Sequence, residues 1–194
     1  MTKPLMLDQV AIRDLDKCGL LPILSKSGIE CCSTPLAFES PDHFKTYKRL
    51  FDSGGNPLRE LVFDEKSHSV LKFIYSKYGE NERITYYDAV AISMSSFGGY
   101  VMIATEPVIY NIATELNINV WGYQTLLSAL VEKQILHPHD ASALAQQLLF
   151  QVNNAAIIHD TGYSDVSITS PHAGTKHLRR IGRIIQNMPG HKVI

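Results

Sequence analysis

Five short apolar runs mark out the chain: PLML ahead of Asp8, IECCS near 29–33, ELVF near 60–63, YVMIA at 100–104 and INVW at 118–121. They are apolar almost without interruption, the pattern of strands covered on both faces rather than half-exposed ones. Between them the period changes from strand to helix. HFKTYKRLF at about 43–51 reads as a helix ending at the Ser53-Gly54-Gly55-Asn56-Pro57 break. Val70, Phe73, Ile74 and Lys77 share one helical face before Gly79, and the stretch from Thr85 to Ser96 reads as a helix closed by Gly98-Gly99. Val108, Ile109, Ile112, Ala113 and Leu116 form an apolar stripe, and Leu126, Leu127, Leu130 and Val131 repeat it.

Strands alternating with helices imply βαβ units and a sheet sealed between helical layers. The expectation is a three-layer α/β/α sandwich with a mainly parallel sheet of about five strands. His137-Pro138 reads as a boundary between a domain at 1–136 and a helical extension at 137–194. Within the extension, ASALAQQLLFQVNNA reads as a helix, and the segment from Lys176 to Gln186 as a short basic one.

The 194 residues and 45% apolar content fit a folded chain with a sizeable core. No apolar run is long enough to cross a bilayer, and Asp8 interrupts the N-terminus too early for a signal-peptide core. The expectation is therefore a soluble, cytoplasmic protein with no membrane partner. Cys18, Cys31 and Cys32 include no CxxC pair, and neighbouring cysteines bridge each other only with strain, so buried free thiols are expected. A net charge of −1 excludes a generically basic nucleic-acid binder. Beyond Asp165, however, the chain has no acidic residue. Lys176, Arg179, Arg180 and Arg183 in that tail are candidates for phosphate contact, or else a solvated helix end.

Open parallel sheets bind ligands beyond the carboxyl ends of their strands. Asp8 follows the first run, Asp64 and Glu65 the third, and Glu106 the fourth, while Glu39 lies a few residues past the second. Asp88 stands in the first turn of the helix that starts near Thr85. Carboxylates so gathered raise one another's pKa unless a cation neutralises them. Mg²⁺ or Mn²⁺, which prefer hard oxygen ligands, are the expected cofactors. Each acid also has an ordinary structural use. Asp8 can open a loop, Thr85-x-x-Asp88 matches a capping box, and Glu106 before Pro107 complements a helix dipole.

LMLDQVAIRDL resembles the opening strand and first catalytic Asp of PIN-domain ribonucleases. ITYYDAVAISMS is similar to their hydroxyl–Asp-Ala–helix motif. The stretch YVMIATEPVIYNIATELNINVWGYQTLLSALVEKQIL is similar to their closing unit of strand, acid, helix, short strand and Leu-rich helix. The resemblance spans roughly 4–136 and rests on order and spacing. It implies a metal-dependent endoribonuclease with RNA as substrate, as in the toxins of toxin–antitoxin pairs. An antitoxin or other protein partner and self-association are further expectations. Asp8 would be the first carboxylate, Glu39 the second, Asp88 the third and Glu106 the fourth, together holding the metal. Glu106 stands where the family usually has Asp, and Gln9 where a small hydroxyl residue often follows the first Asp.

Those departures leave a second function, a catalytically degenerate PIN fold kept for RNA binding or protein assembly. A third comes from IRDLDKCGLLPIL, which faintly resembles the nucleophile loop of haloacid dehalogenase-like phosphatases, with Asp14 as nucleophile and Asp16 as general acid. Lys17-Cys18 departs from that pattern, and the later acidic motif is missing. His137-Pro138-His139-Asp140 has a His-x-His spacing but no third zinc ligand nearby, so Asp140 is expected to be a helix N-cap. His43 and His68 read as solvated helix positions.

Overall fold

A computed structural model of the chain describes residues 3–79, 84–97, 99–104 and 106–151, with side chains through 147. The apolar runs form five strands: β1 (Leu5–Leu7), β2 (Cys31–Ser33), β3 (Arg59–Glu60), β4 (Val101–Ile103) and β5 (Val120–Trp121). They pair in parallel in the order β3-β2-β1-β4-β5, with Leu5 opposite both Cys31 and Val101, Ser33 opposite Glu60 and Ile103 opposite Trp121. The expected α/β fold is present, and the described sheet is parallel throughout.

The continuous apolar character of the inner strands follows from how they divide their side chains. Leu5, Leu7, Cys31, Val101 and Ile103 enter one core. Met6, Cys32, Met102 and Ala104 enter a second core on the opposite face. Successive strand residues point to opposite faces, so a strand with a core on each side has no solvent-facing position. The first core is closed by α1 (Gln9–Lys17), α2 (Leu21–Leu24), α3 (Pro41–Gly54), α7 (Tyr123–Glu132) and α8 (Pro138–Gln151). The second is closed by α4 (Glu65–Tyr78), α5 (Tyr86–Ser95) and α6 (Pro107–Glu115). These are the three layers of an α/β/α sandwich. From Asp88 to Ser95 every residue of α5 is buried, as expected of a helix wedged between a sheet and a neighbouring helix. The Ser93 hydroxyl is satisfied by donating to the Ser67 carbonyl of α4 at 2.7 Å.

Several boundaries differ from the sequence reading. The third run, expected near 60–63, pairs only at Arg59–Glu60, with one further bond from the Leu61 amide to the Ser33 carbonyl. It is an edge strand, and its two residues are exposed and ion-paired, Arg59 to Glu30 and Glu60 to Lys48. IRDLDKCGLLPIL, at 12–24, which faintly resembles a nucleophile loop, instead spans most of α1, a short turn and α2. Asp8 caps α1, and Ala11, Ile12 and Leu15 bury its inner face. Asp140 lies inside the first turn of α8 rather than at its N-cap, because Pro138 already begins the helix. Ala141 and Ala145 of α8 belong to the first core, so the extension packs on the domain at least through that helix. His68 is exposed against the edge of Phe63, and His43 is exposed on α3. All three cysteines are free and buried.

Candidate active site

The chain runs from β1 outward through β2 to β3, then returns to β4 on the other side of β1. The helix after β1 covers one face and the helix after β4 covers the other. The crevice beyond the carboxyl ends of β1 and β4 is therefore the topological switch point, where open α/β sheets form their sites. A cavity of about 260 Å³ opens there, and Asp8, Glu39, Asp88 and Glu106 all line it. Arg13, Thr85 and Tyr87 also contribute to its wall.

Each acid arrives by a different local route. Asp8 directly follows the central strand, is 7% exposed, and takes the Ala11 amide on Oδ1 at 2.6 Å as the N-cap of α1. Asp88 is the third residue of α5. Its Oδ2 accepts the Thr85 amide at 2.7 Å and the Thr85 hydroxyl at 2.8 Å, while its own amide donates to Thr85 Oγ1 at 3.2 Å. Glu106 is the N-cap residue of α6 but makes no capping bond with its side chain. Glu39 follows the 3-10 turn at Pro35–Ala37 after β2 and stands exposed on the rim. Asp64 and Glu65 take no part. Asp64 caps α4, receiving the Ser67 amide and hydroxyl at 2.8 and 2.7 Å, and those bonds hold its carboxyl below the usual range.

Burial raises the Asp8 carboxyl to about 7 against the pull of the Ala11 amide, and the charges of Asp88, Glu106 and Asp14 push the same way. Glu106 is raised as well, first by desolvation, then by Asp88 and Asp14, with Arg13 opposing. The cavity is thus a place where negative charge is costly and a cation is favoured. Its carboxylate oxygens are the donor type that Mg²⁺ or Mn²⁺ takes. Capping engages one oxygen each of Asp8 and Asp88, and the short side chains of both are fixed. Among the described residues no three His, Cys, Asp or Glu side chains are grouped to hold an ion as they stand. The donor chemistry suits such an ion, but its remaining ligands would have to come from the two long, exposed side chains, Glu39 and Glu106.

Asp14 and Asp16, considered above as a phosphatase pair, lie within α1 and not in a loop after a strand. Asp14 is buried and accepts the Tyr123 hydroxyl on Oδ2 at 3.2 Å. The sequence reading missed Arg13 and Tyr87 as cavity residues. Once Asp8 is recognised as a cap, Arg13 falls one turn beyond Gln9 on the same face of α1, and that spacing is the signal that could have found it. Lys176, Arg179, Arg180 and Arg183 lie outside the described residues. Burial pushes the Cys32 thiol up to about 12 and raises those of Cys18 and Cys31, which removes all three as nucleophiles near neutral pH.

No protein-family model matches the chain, and no curated protein or solved structure is detectably similar to it. Among the described residues no helix is long and apolar enough to cross a membrane.

Proposed function

We propose that the protein is a metal-dependent endoribonuclease that hydrolyses RNA phosphodiesters, in keeping with the resemblance of residues 4–136 to PIN domains. One observation carries the reading: Asp8, Asp88, Glu106 and Glu39, from four separate segments, line one cavity at the sheet's switch point. Helix capping explains Asp8 and Asp88 singly, but capping does not require them to share a cavity with two further acids.

In this reading the four carboxylates would hold Mg²⁺ or Mn²⁺. When bound, the ion supplies water activation and charge neutralisation at the phosphodiester. The chain's own contributions are separable. Burial, with the neighbouring acids, penalises the Asp8 charge, and a neutralising cation would relieve that penalty. Arg13 is a cation on the wall of the same cavity, suited to a phosphate oxygen of the substrate. No side-chain nucleophile is required.

A degenerate scaffold is the second reading, favoured by the capping bonds that already occupy Asp8 and Asp88. Purified protein incubated with a mixed RNA panel, with Mn²⁺, Mg²⁺ or EDTA, separates the two. Metal-dependent cleavage lost in both Asp8→Asn and Asp88→Asn supports the nuclease. Absence of cleavage, with no metal-dependent rise in Tm, supports the scaffold.

A further inference from the structure

A second cavity, of about 270 Å³, adjoins the acidic one and shares Gln9, Arg13 and Glu39 with it. It is a groove between two helix faces. Gln9 and Arg13, one turn apart, come from α1, while His43, Thr46 and Tyr47, at i, i+3 and i+4, come from α3. Phe38, buried at 4% exposure, contributes to the lining from the loop between β2 and α3. Just under the ~300 Å³ at which sites for drug-sized ligands begin, the space suits one small ring-bearing unit.

The aromatic part of this groove is held in place. The Tyr47 ring lies 6.3 Å from the Phe38 ring at an interplanar angle of 35°, and Phe38 in turn packs 5.6 Å from Phe44. Tyr47 is half-buried, with a backed ring in a cavity that water and ligand can enter. Arg13 links the two spaces: burial and the Asp16 charge raise the Tyr47 hydroxyl and Arg13 opposes them, as it opposes the raised carboxyl of Glu106 in the acidic cavity. Among the described residues no carboxylate lies within ion-pairing distance of Arg13.

An aromatic face, an adjacent unpaired guanidinium, and an amide, an imidazole and a hydroxyl around them match the parts of a nucleotide. A base stacks on the ring, a phosphate meets the guanidinium, and the remaining groups reach base edge or ribose. We infer that the groove between α1 and α3 is a nucleotide subsite, in which a base stacks on Tyr47 and its phosphate lies at Arg13 on the border of the acidic cavity. The inference rests on the nuclease reading for the polymer involved: the nucleotide is the unit of single-stranded RNA beside the phosphodiester to be cut. Glu39 lies on the same border and opposes a phosphate, so the margin of a nucleotide over its nucleoside comes from the Arg13 contact.

The test is a ligand titration followed by NMR on the full chain in EDTA, with AMP, adenosine and ribose 5-phosphate as probes. AMP is expected to bind the wild type and Tyr47→Phe alike, and Tyr47→Leu about tenfold more weakly, as loss of one stacked base implies. Ribose 5-phosphate is expected to bind more weakly than AMP, and Arg13→Gln to erase the margin of AMP over adenosine. Thermal melts of all variants check folding, with Tyr47→Phe as the conservative control. Equal AMP binding by the wild type and a folded Tyr47→Leu overturns the subsite, as does an absence of saturable AMP binding or ribose 5-phosphate binding as well as AMP. Metal-dependent RNA cleavage without Tyr47-dependent AMP binding removes the subsite alone. Tyr47-dependent AMP binding in a protein that cuts no RNA removes the nuclease reading alone.

Discussion

The Tyr123 hydroxyl donates to Asp14 Oδ2 at 3.2 Å, joining the first turn of α7 to α1 within the core beneath the acidic cavity. Both side chains are buried, and burial together with the Asp14 charge raises the Tyr123 phenol well above its ordinary value, fixing it as the donor. Tyr123→Phe keeps the ring and removes only that donor. It is expected to lower stability by about 1.5–3 kcal/mol, the range for a hydrogen bond to a charged group. Urea denaturation with an unchanged m-value would measure it. A change below ~0.5 kcal/mol would mean that Asp14's other interactions already compensate.

The raised Asp8 carboxyl sets a pH dependence with a definite sign. Between the ordinary value of 3.8 and about 7, the folded chain retains a proton that the unfolded chain has released. Raising pH through that window therefore favours unfolding, and the metal-free protein is expected to lose on the order of 2–4 kcal/mol across it. Asp8→Asn keeps an oxygen for the Ala11 amide but cannot ionise, so its stability should be much flatter over the same range. Melting curves in EDTA from pH 4.5 to 8 give the comparison. Parallel pH profiles for wild type and variant would show that Asp8 is ionised throughout.

Much of this was readable from the residues because two-sided burial leaves a plain trace: a strand such as Leu5–Leu7 with a core on each face cannot carry a polar residue until it ends, and Asp8 marks where it ends. The glycine break after α3 was legible for a similar reason, since Gly55 takes the left-handed conformation at φ 80° that ends the helix. The segment 12–24 was less legible, because Asp14 and Asp16 resemble the acids of a loop until Tyr123, more than a hundred residues away, supplies a partner for the buried one. The third strand was misjudged because edge pairing depends on what β2 offers, and β2 pairs with it only at Cys32 and Ser33. The acidic cavity was anticipated as a set of residues. The neighbouring groove was not, since Arg13 of α1 and Tyr47 of α3 line one cavity only once both helices are in place.

Gly54 offers a test of how closely α2 and α3 approach. A Cβ added there would run into the backbone carbonyl of Ser25, just past α2, and that group has no freedom to swing aside. Gly54→Ala should therefore destabilise by about 1–3 kcal/mol, although alanine is the better helix former. Ser53→Ala, one residue earlier and exposed, should stay within about 0.5 kcal/mol of wild type. Chemical denaturation of the pair distinguishes a steric clash from a propensity effect, because propensity alone would leave both variants at or above wild-type stability.

Asp88 has two separable uses, and two substitutions divide them. Its Oδ2 closes the capping box with Thr85, while its charge contributes to the raised carboxyls of Asp8 and Glu106. Asp88→Asn retains an oxygen acceptor for the cap but removes the charge. Asp88→Ala removes both and should cost about 1 kcal/mol more than Asp88→Asn, the usual loss for a helix N-terminal cap. Both changes relieve Asp8, so its titration, followed by carboxyl NMR, should move down toward the ordinary range in each. If Asp88 serves only the cap, Asp88→Asn should leave metal response and RNA cleavage untouched. If it also holds the ion, the two variants should be equally inactive despite their different stabilities. Equal activity loss at unequal Tm is therefore the outcome that assigns Asp88 to the chemistry rather than to the helix.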